Sequence, residues 1–119
     1  MNLKTNKKFI YLLSPSSIKN NKFFADLVEV LSTNKISFFQ LRLKGESYKK
    51  SLSIAKKAKR ICKKYNVKFI INDNPSFAKK IGADGCHLGQ KDICLQQARK
   101  ILKRRIIGVT CHNSIKLVK

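Results

Sequence analysis

In the segment "FFQLRLK", Gln40, Arg42 and Lys44 stand two residues apart. In an extended strand, residues at that spacing share one face, and Leu41 and Leu43 take the other. The leucine face can pack on helices, leaving an amide, a guanidinium and an ammonium to line an interior near the end of the strand. Arginine binds phosphate through two parallel N–H bonds and lysine adds a point charge, so the trio suits an anion with several oxygens. The plainer alternative is a solvent-facing strand edge. Carboxylates are scarce, with 6 Asp and Glu against 27 Lys and Arg, yet Asp73, Asp84 and Asp92 all fall between Phe69 and Asp92. Asn72-Asp73 closes one apolar run, and Asp92 follows another after Gly89-Gln90. Two carboxylates beside a cationic anion site match the ligand chemistry of Mg²⁺, which takes few carboxylates together with substrate phosphates and water. Otherwise Asp92 is a helix cap and Asp73 a turn residue. Asp84, in "GADG", reads as a turn residue without chemistry. Thr110 offers a hydroxyl after "IIGV", and His112 is either an acid–base group or structural.

The elements that must position these residues alternate. Phe9 to Leu13 reads as a buried strand closed by Ser14-Pro15, and Phe23 to Leu31 as a helix. Ile36 to Lys44 reads as a strand stopped by Gly45. From Glu46 to Tyr65, apolar residues at three- and four-residue spacing give one helix face, with lysines opposite. Val67 to Ile71 is a strand. Asn74 can cap a short helix with Pro75 at its first position and Gly82 at its end. Gly85 to Gly89 is a strand, Asp92 caps a helix over Ile93 to Leu102, and Ile106 to Thr110 is a fifth strand. Asn113 or Ser114 is expected to start a further helix. Alternation with short loops argues a parallel sheet with crossover helices. Both a doubly wound open sheet and part of a (β/α)₈ barrel fit the pattern, and both place ligands at the C-terminal ends of the strands.

Composition sets bounds. The 119 residues are 43% apolar and carry a formal net charge of +21. The lysines are scattered, as on solvated helix faces, although such a field also attracts polyanions. Cys62, Cys86, Cys94 and Cys111 include no C-x-x-C pair, and the adjacent Cys86-His87 and Cys111-His112 depart from zinc-ligand spacing. "FIYLL" is shorter than a signal-peptide apolar region, and no run suits a membrane span. The expectation is a cytoplasmic protein with reduced thiols.

"QLRLK", "INDNPSFAKKIGADGCHLGQKD" and "IGVTCHN" resemble, in order and spacing, the N-terminal motifs of the thiamine-phosphate synthase/TenI family, over about Phe9 to Asn113. The resemblance implies a (β/α)₈ TIM-barrel-type fold, here about four and a half β/α units, with residues 1–119 forming one partial barrel domain. It implies a transferase of thiamine biosynthesis that joins hydroxymethylpyrimidine diphosphate to a thiazole phosphate through a pyrimidine carbocation, releasing diphosphate with the help of Mg²⁺. Gln40, Arg42, Lys44, Asn72 and Thr110 would bind substrate, and Asp73 and Asp92 would hold Mg²⁺. Thr110 stands where synthases usually have Ser, and Asn74 where Arg is frequent. Family members run to roughly 200 residues, consistent with small barrels. Self-association or a second chain completing the barrel is therefore expected, and the outer strands would expose unpaired edges. Two alternatives remain at this point. One is a TenI-like thiazole tautomerase using His112. The other is a non-catalytic basic protein binding RNA or another chain, although the sequence has no recognised RNA motif.

Overall fold

The computed structural model describes residues 10–89, 95–111 and 114–118. Among them the strands are β1 (Tyr11–Leu13), β2 (Phe38–Leu41), β3 (Lys68–Asn72), β4 (Gly85–Leu88), β5 (Ile106–Cys111) and β6 (Ser114–Val118). The helices are α1 (Lys22–Leu31), α2 (Tyr48–Lys64), α3 (Pro75–Ile81) and α4 (Leu95–Leu102). The strands form one sheet in the order β1-β2-β3-β4-β5-β6, with β1 to β5 parallel and β5–β6 antiparallel. Sequential parallel neighbours joined by right-handed crossovers put every helix on one face, as in a barrel wall. A doubly wound sheet would reverse its order at a switch point. The strand order thus decides between the two architectures that the alternation alone permits.

Local signals set the helix boundaries. The Ser47 side chain accepts the Lys50 N–H at the start of α2, and Asn74 accepts the Phe77 N–H at the start of α3. Pro75 has no N–H to leave unpaired, and Gly82 ends α3 in the left-handed region at φ 71°. Gly85 lies against the start of β5, where a Cβ would collide with the Ile106 carbonyl. The core lies between sheet and helices. Phe39, Leu41, Phe69, Ile71, Cys86, Leu88 and Ile107 from the strands meet Phe24, Leu27, Leu31, Ile54, Ala55, Ala58, Ala78, Ala98 and Leu102 from the helices. Burying each large side chain of this set contributes on the order of 2 kcal/mol. The opposite face carries Tyr11, Phe38, Gln40 and, by alternation, Ile70.

Two expectations are corrected. The second strand does not reach Lys44. It ends at Leu41, because the Arg42 N–H turns to the Ser14 side chain and the Lys44 N–H to the Ser16 carbonyl. The expected helix from Asn113 or Ser114 is not borne out at Ser114, since Ser114–Val118 pair with β5 as a strand; Asn113 lies outside the described residues. "SIKLV" alternates and is rich in strand formers, so it suits an open sheet edge better than a helix. The expected bare edge at the fifth strand is accordingly covered, whereas β1 remains at an edge of the sheet.

Candidate functional site

The C-terminal ends of β1, β2 and β3 are tied together by short-range polar contacts. The Ser14 N–H donates to the Gln40 carbonyl at 2.9 Å, and the Ser14 hydroxyl accepts the Arg42 N–H at 2.8 Å. That hydroxyl in turn donates to the Pro15 carbonyl at 3.0 Å. These bonds lift Arg42 and Lys44 off the sheet and hold the segment that carries them along the β1–α1 connection. Arg42 is exposed there. Lys44 Nζ reaches across to Asp73 Oδ2 at 2.8 Å.

Asp73 follows the last residue of β3 in a left-handed conformation, φ 67°, which Asp tolerates better than most side chains. Its N–H donates to the His87 carbonyl at 2.7 Å, so β4 braces the turn. Asp73 is therefore a turn residue as well as a charged group on the rim. The Lys44 and Asp73 side chains are 48% and 31% exposed, and a pair so open to water contributes roughly 0–1 kcal/mol to stability.

Gln40 lies elsewhere. It is on the sheet face away from the helices, 2% exposed, with Nε2 donating to the Tyr11 hydroxyl at 3.1 Å. Gln40 is thus not beside Arg42 and Lys44 on an open face, since the strand ends between them. Asn72 is the last residue of β3 and is half-buried. It borders a cavity of about 280 Å³ that opens between the β2–α2 and β3–α3 connections, with Leu43, Glu46, Tyr48, Asn74 and Phe77. Thr110 lies in β5, with its backbone opposite Ile115; its side chain is outside the described residues. Asp92 and His112 also lie outside them.

Asp84 is at the other end of the sheet. Its carboxylate accepts the Phe69 N–H at 2.8 Å, and its carbonyl accepts the Ile106 N–H at 3.0 Å. The structure thus separates Asp84 from the rim and joins it to three strand starts. The sequence reading missed Ser14, treated only as a strand stop, and Tyr11, treated only as strand filler. Ser14 sits next to a proline in a strand-ending turn, where a hydroxyl commonly bonds to backbone. That signal was available.

A sequentially ordered β/α wall whose C-terminal rim carries Arg42, Lys44 and Asp73 defines a barrel-type α/β protein with a charged rim. Residues 10–119 match the family described as thiamine monophosphate synthase, and the chain belongs to that family. It is 64% identical over 116 residues to a thiamine-phosphate synthase of Pelagibacter ubique, covering 98% of this chain and 56% of that protein. It is 37% identical over 114 residues to one of Saccharophagus degradans, covering 94% of this chain and 52% of that protein. The chain thus spans about half the length of the curated relatives it matches. Among solved structures, thiamine phosphate pyrophosphorylase from Pyrococcus furiosus superposes with a TM-score of 0.77 at 24% identity, over 93% of this chain and 53% of that one. That likeness supports the barrel-type fold. No helix among the described residues is long and apolar enough to cross a membrane.

Proposed function

We propose that the chain forms the pyrimidine-diphosphate half of a thiamine-phosphate synthase site. The observation that carries this reading is the meeting of Lys44 and Asp73 across the ends of two strands, at 2.8 Å and open to solvent. In the reaction, the bond between the pyrimidine methylene carbon and the diphosphate oxygen breaks. The thiazole nitrogen supplies the electron pair for the new C–N bond, and diphosphate leaves with the bonding electrons. Negative charge grows on the leaving oxygen, so cations fixed beside it lower the barrier. Arg42 and Lys44 would take that role, and Lys44 would exchange part of its contact with Asp73 for the phosphate. Asn72, at the last position of β3, would add a neutral hydrogen bond, and the Thr110 hydroxyl another from β5.

The donor chemistry fits Mg²⁺. Asp73 presents a hard, accessible carboxylate at the rim, beside the Lys44 ammonium. Such an arrangement suits an ion that draws most of its ligands from substrate phosphates and water. Asp73, joined by Asp92, would hold it. When bound, Mg²⁺ neutralises the diphosphate oxygens.

The names borne by the relatives favour this synthase reading over the tautomerase. Small-molecule substrates follow from it, whereas self-association or a second chain completing the barrel is a further part of the proposal. Calorimetric titration of hydroxymethylpyrimidine diphosphate with Mg²⁺ tests it. Saturable binding that Asp73→Ala removes is expected. A folded chain that takes up no ligand would sink the reading.

A further inference from the structure

At the end of the sheet opposite the rim, two cavities of about 300 Å³ and 690 Å³ open side by side and share Lys68, Gly82 and Asp84 in their walls. Together they form a trough across the starts of β3, β4 and β5, bounded by the ends of α2 and α4. Lys59, Lys63, Lys68, Lys103, Arg104 and Arg105 line it, and Asp84 brings the one carboxylate among the described residues of its walls. That carboxylate already accepts the Phe69 N–H. The ion pairs Lys22–Asp26, Lys44–Asp73 and Lys50–Glu46 involve none of these cations.

Capping accounts for part of this charge. Lys59 donates to the Ile81 carbonyl, and Arg105 Nε donates to the Ala83 carbonyl at 3.1 Å. Lys68, Lys103 and Arg104 are different: they are exposed, and their side chains have no hydrogen-bond or ion-pair partner among the described residues. Like charges held together repel one another, and no contact in the fold offsets the gathering of these three. An anionic partner would. Arg105 is prepared to receive one. The bond from Nε fixes the plane of a partly buried guanidinium, and its terminal nitrogens have no partner among the described residues, a geometry that suits two oxygens of one phosphate.

The shape of the trough narrows the choice of polyanion. From β3 to β5 it crosses about 10 Å, two strand spacings. That is a path for about three nucleotides of one strand at roughly 3.4 Å each. The one ring among the described residues of its walls is Phe69, 1% exposed, so bases have no platform on which to stack. None of the large exposed apolar side chains, which would enter a bilayer, lines it. We propose that this trough is a second binding site, independent of the rim, that holds a single-stranded nucleic acid by its phosphates without reading its bases.

The test is a titration of short labelled oligouridine, followed by fluorescence anisotropy at several salt concentrations. With Lys68, Lys103, Arg104 and Arg105 each neutralising a phosphate, the logarithm of affinity should fall with that of salt at a slope of about −3. Lys68→Gln, Lys103→Asn and Arg104→Gln together remove three of these charges and spare the caps; Asn suits the left-handed backbone of residue 103, φ 57°. The triple variant should bind roughly tenfold or more weakly, with a slope of about −1. Lys19→Gln, Lys49→Gln and Lys56→Gln, combined as a control of equal net charge, remove exposed lysines outside the trough and should leave affinity nearly unchanged. Equal losses in the two variants would mean that overall charge and not the trough attracts the strand, and would overturn the inference. A wild-type chain that takes up no oligouridine overturns it too, as does a strong preference for oligoadenylate over oligouridine. Displacement of the strand by hydroxymethylpyrimidine diphosphate with Mg²⁺ would place it on the rim, with the same consequence. Phosphatidylserine vesicles bound in preference to the oligonucleotide would reassign the trough to a membrane and also overturn the inference. Should the triple variant melt early, Arg104→Gln alone is decisive: a slope shallower by about 0.7 is expected, and an unchanged slope overturns the inference.

Discussion

The two ends of the sheet use charge differently. At the C-terminal rim, Lys44 meets Asp73, side chain to side chain, in the open. At the N-terminal end, charged groups meet the backbone. Asp84 accepts the Phe69 N–H, Lys59 donates to the Ile81 carbonyl at the end of α3, and Arg105 donates to the Ala83 carbonyl. Arg99 donates to the carbonyls of Lys103 and Arg105 just past α4. Helices end at this lower face, and cations there satisfy carbonyls that the helices leave over and complement their dipoles. Part of the large positive charge is therefore explained by capping. The rim pair does little of that kind, and its groups can rearrange around a ligand without cost to the fold. Two aspartates eleven residues apart in the chain thus have different surroundings, one facing a lysine side chain in the open and the other a backbone N–H.

Substitutions at the two aspartates test this contrast most strongly. Asp73→Ala is expected to weaken Mg²⁺-dependent binding of pyrimidine diphosphate by about a hundredfold, the scale of removing one electrostatic contact at a reacting centre. Because alanine tolerates the left-handed φ of residue 73 less well than aspartate, its melting temperature should fall by roughly 2–4 °C. Asp84→Ala should act on stability alone. Leaving the Phe69 N–H without its acceptor costs about 1–2 kcal/mol, seen as a melting temperature lower by roughly 5 °C, with ligand affinity retained. If Asp84→Ala loses affinity together with stability, the division between the two ends fails.

A smaller effect concerns the helix side of the sheet, which serves neither end. Burial pushes the Cys62 thiol from 9.0 up to about 12, with Asp84 adding to the shift. Below pH 9 the thiol is protonated in both folded and unfolded chains and has no influence. Above it the unfolded chain releases the proton and the folded chain does not, so stability falls by about 1.4 kcal/mol per pH unit until the folded thiol itself titrates. Denaturation at pH 8 and pH 10 should show this slope in the wild type and a shallower one in Cys62→Ala. Equal slopes would mean that Cys62 is not the titrating group. The smallest effect is expected at Asn74. It lies at the rim, but its side chain caps α3. Asn74→Ala should cost about 1 kcal/mol in stability and leave diphosphate affinity within roughly twofold.

The alternation of strands and helices was legible from apolar spacing, and so were the caps at Asn74 and Gly82, because these signals are local. Strand order was not, since the same β/α units build either an open sheet or a barrel; motif resemblance pointed to the barrel, and the sequential order bears it out. Period-two spacing put Gln40, Arg42 and Lys44 on one face, but Ser14 and Ser16 draw the chain out of the ladder after Leu41. Contacts with residues about 28 positions away leave no periodic trace in the sequence. Tyr11 escaped notice for the same reason, because its partner Gln40 is 29 residues on. Ser114–Val118 was misread because a helix was expected to follow the fifth strand, although its own alternation was that of a strand.

Metal and diphosphate are expected to gather at the C-terminal rim and not at the basic lower end. The most direct measurement is paramagnetic broadening of backbone amide signals by Mn²⁺, substituted for Mg²⁺, in the presence of hydroxymethylpyrimidine diphosphate. Broadening centred on residues 42–44 and 72–74, abolished by Asp73→Ala, is the predicted result. Broadening centred on residues 82–84 and 103–105, or spread evenly over the chain, would contradict the account.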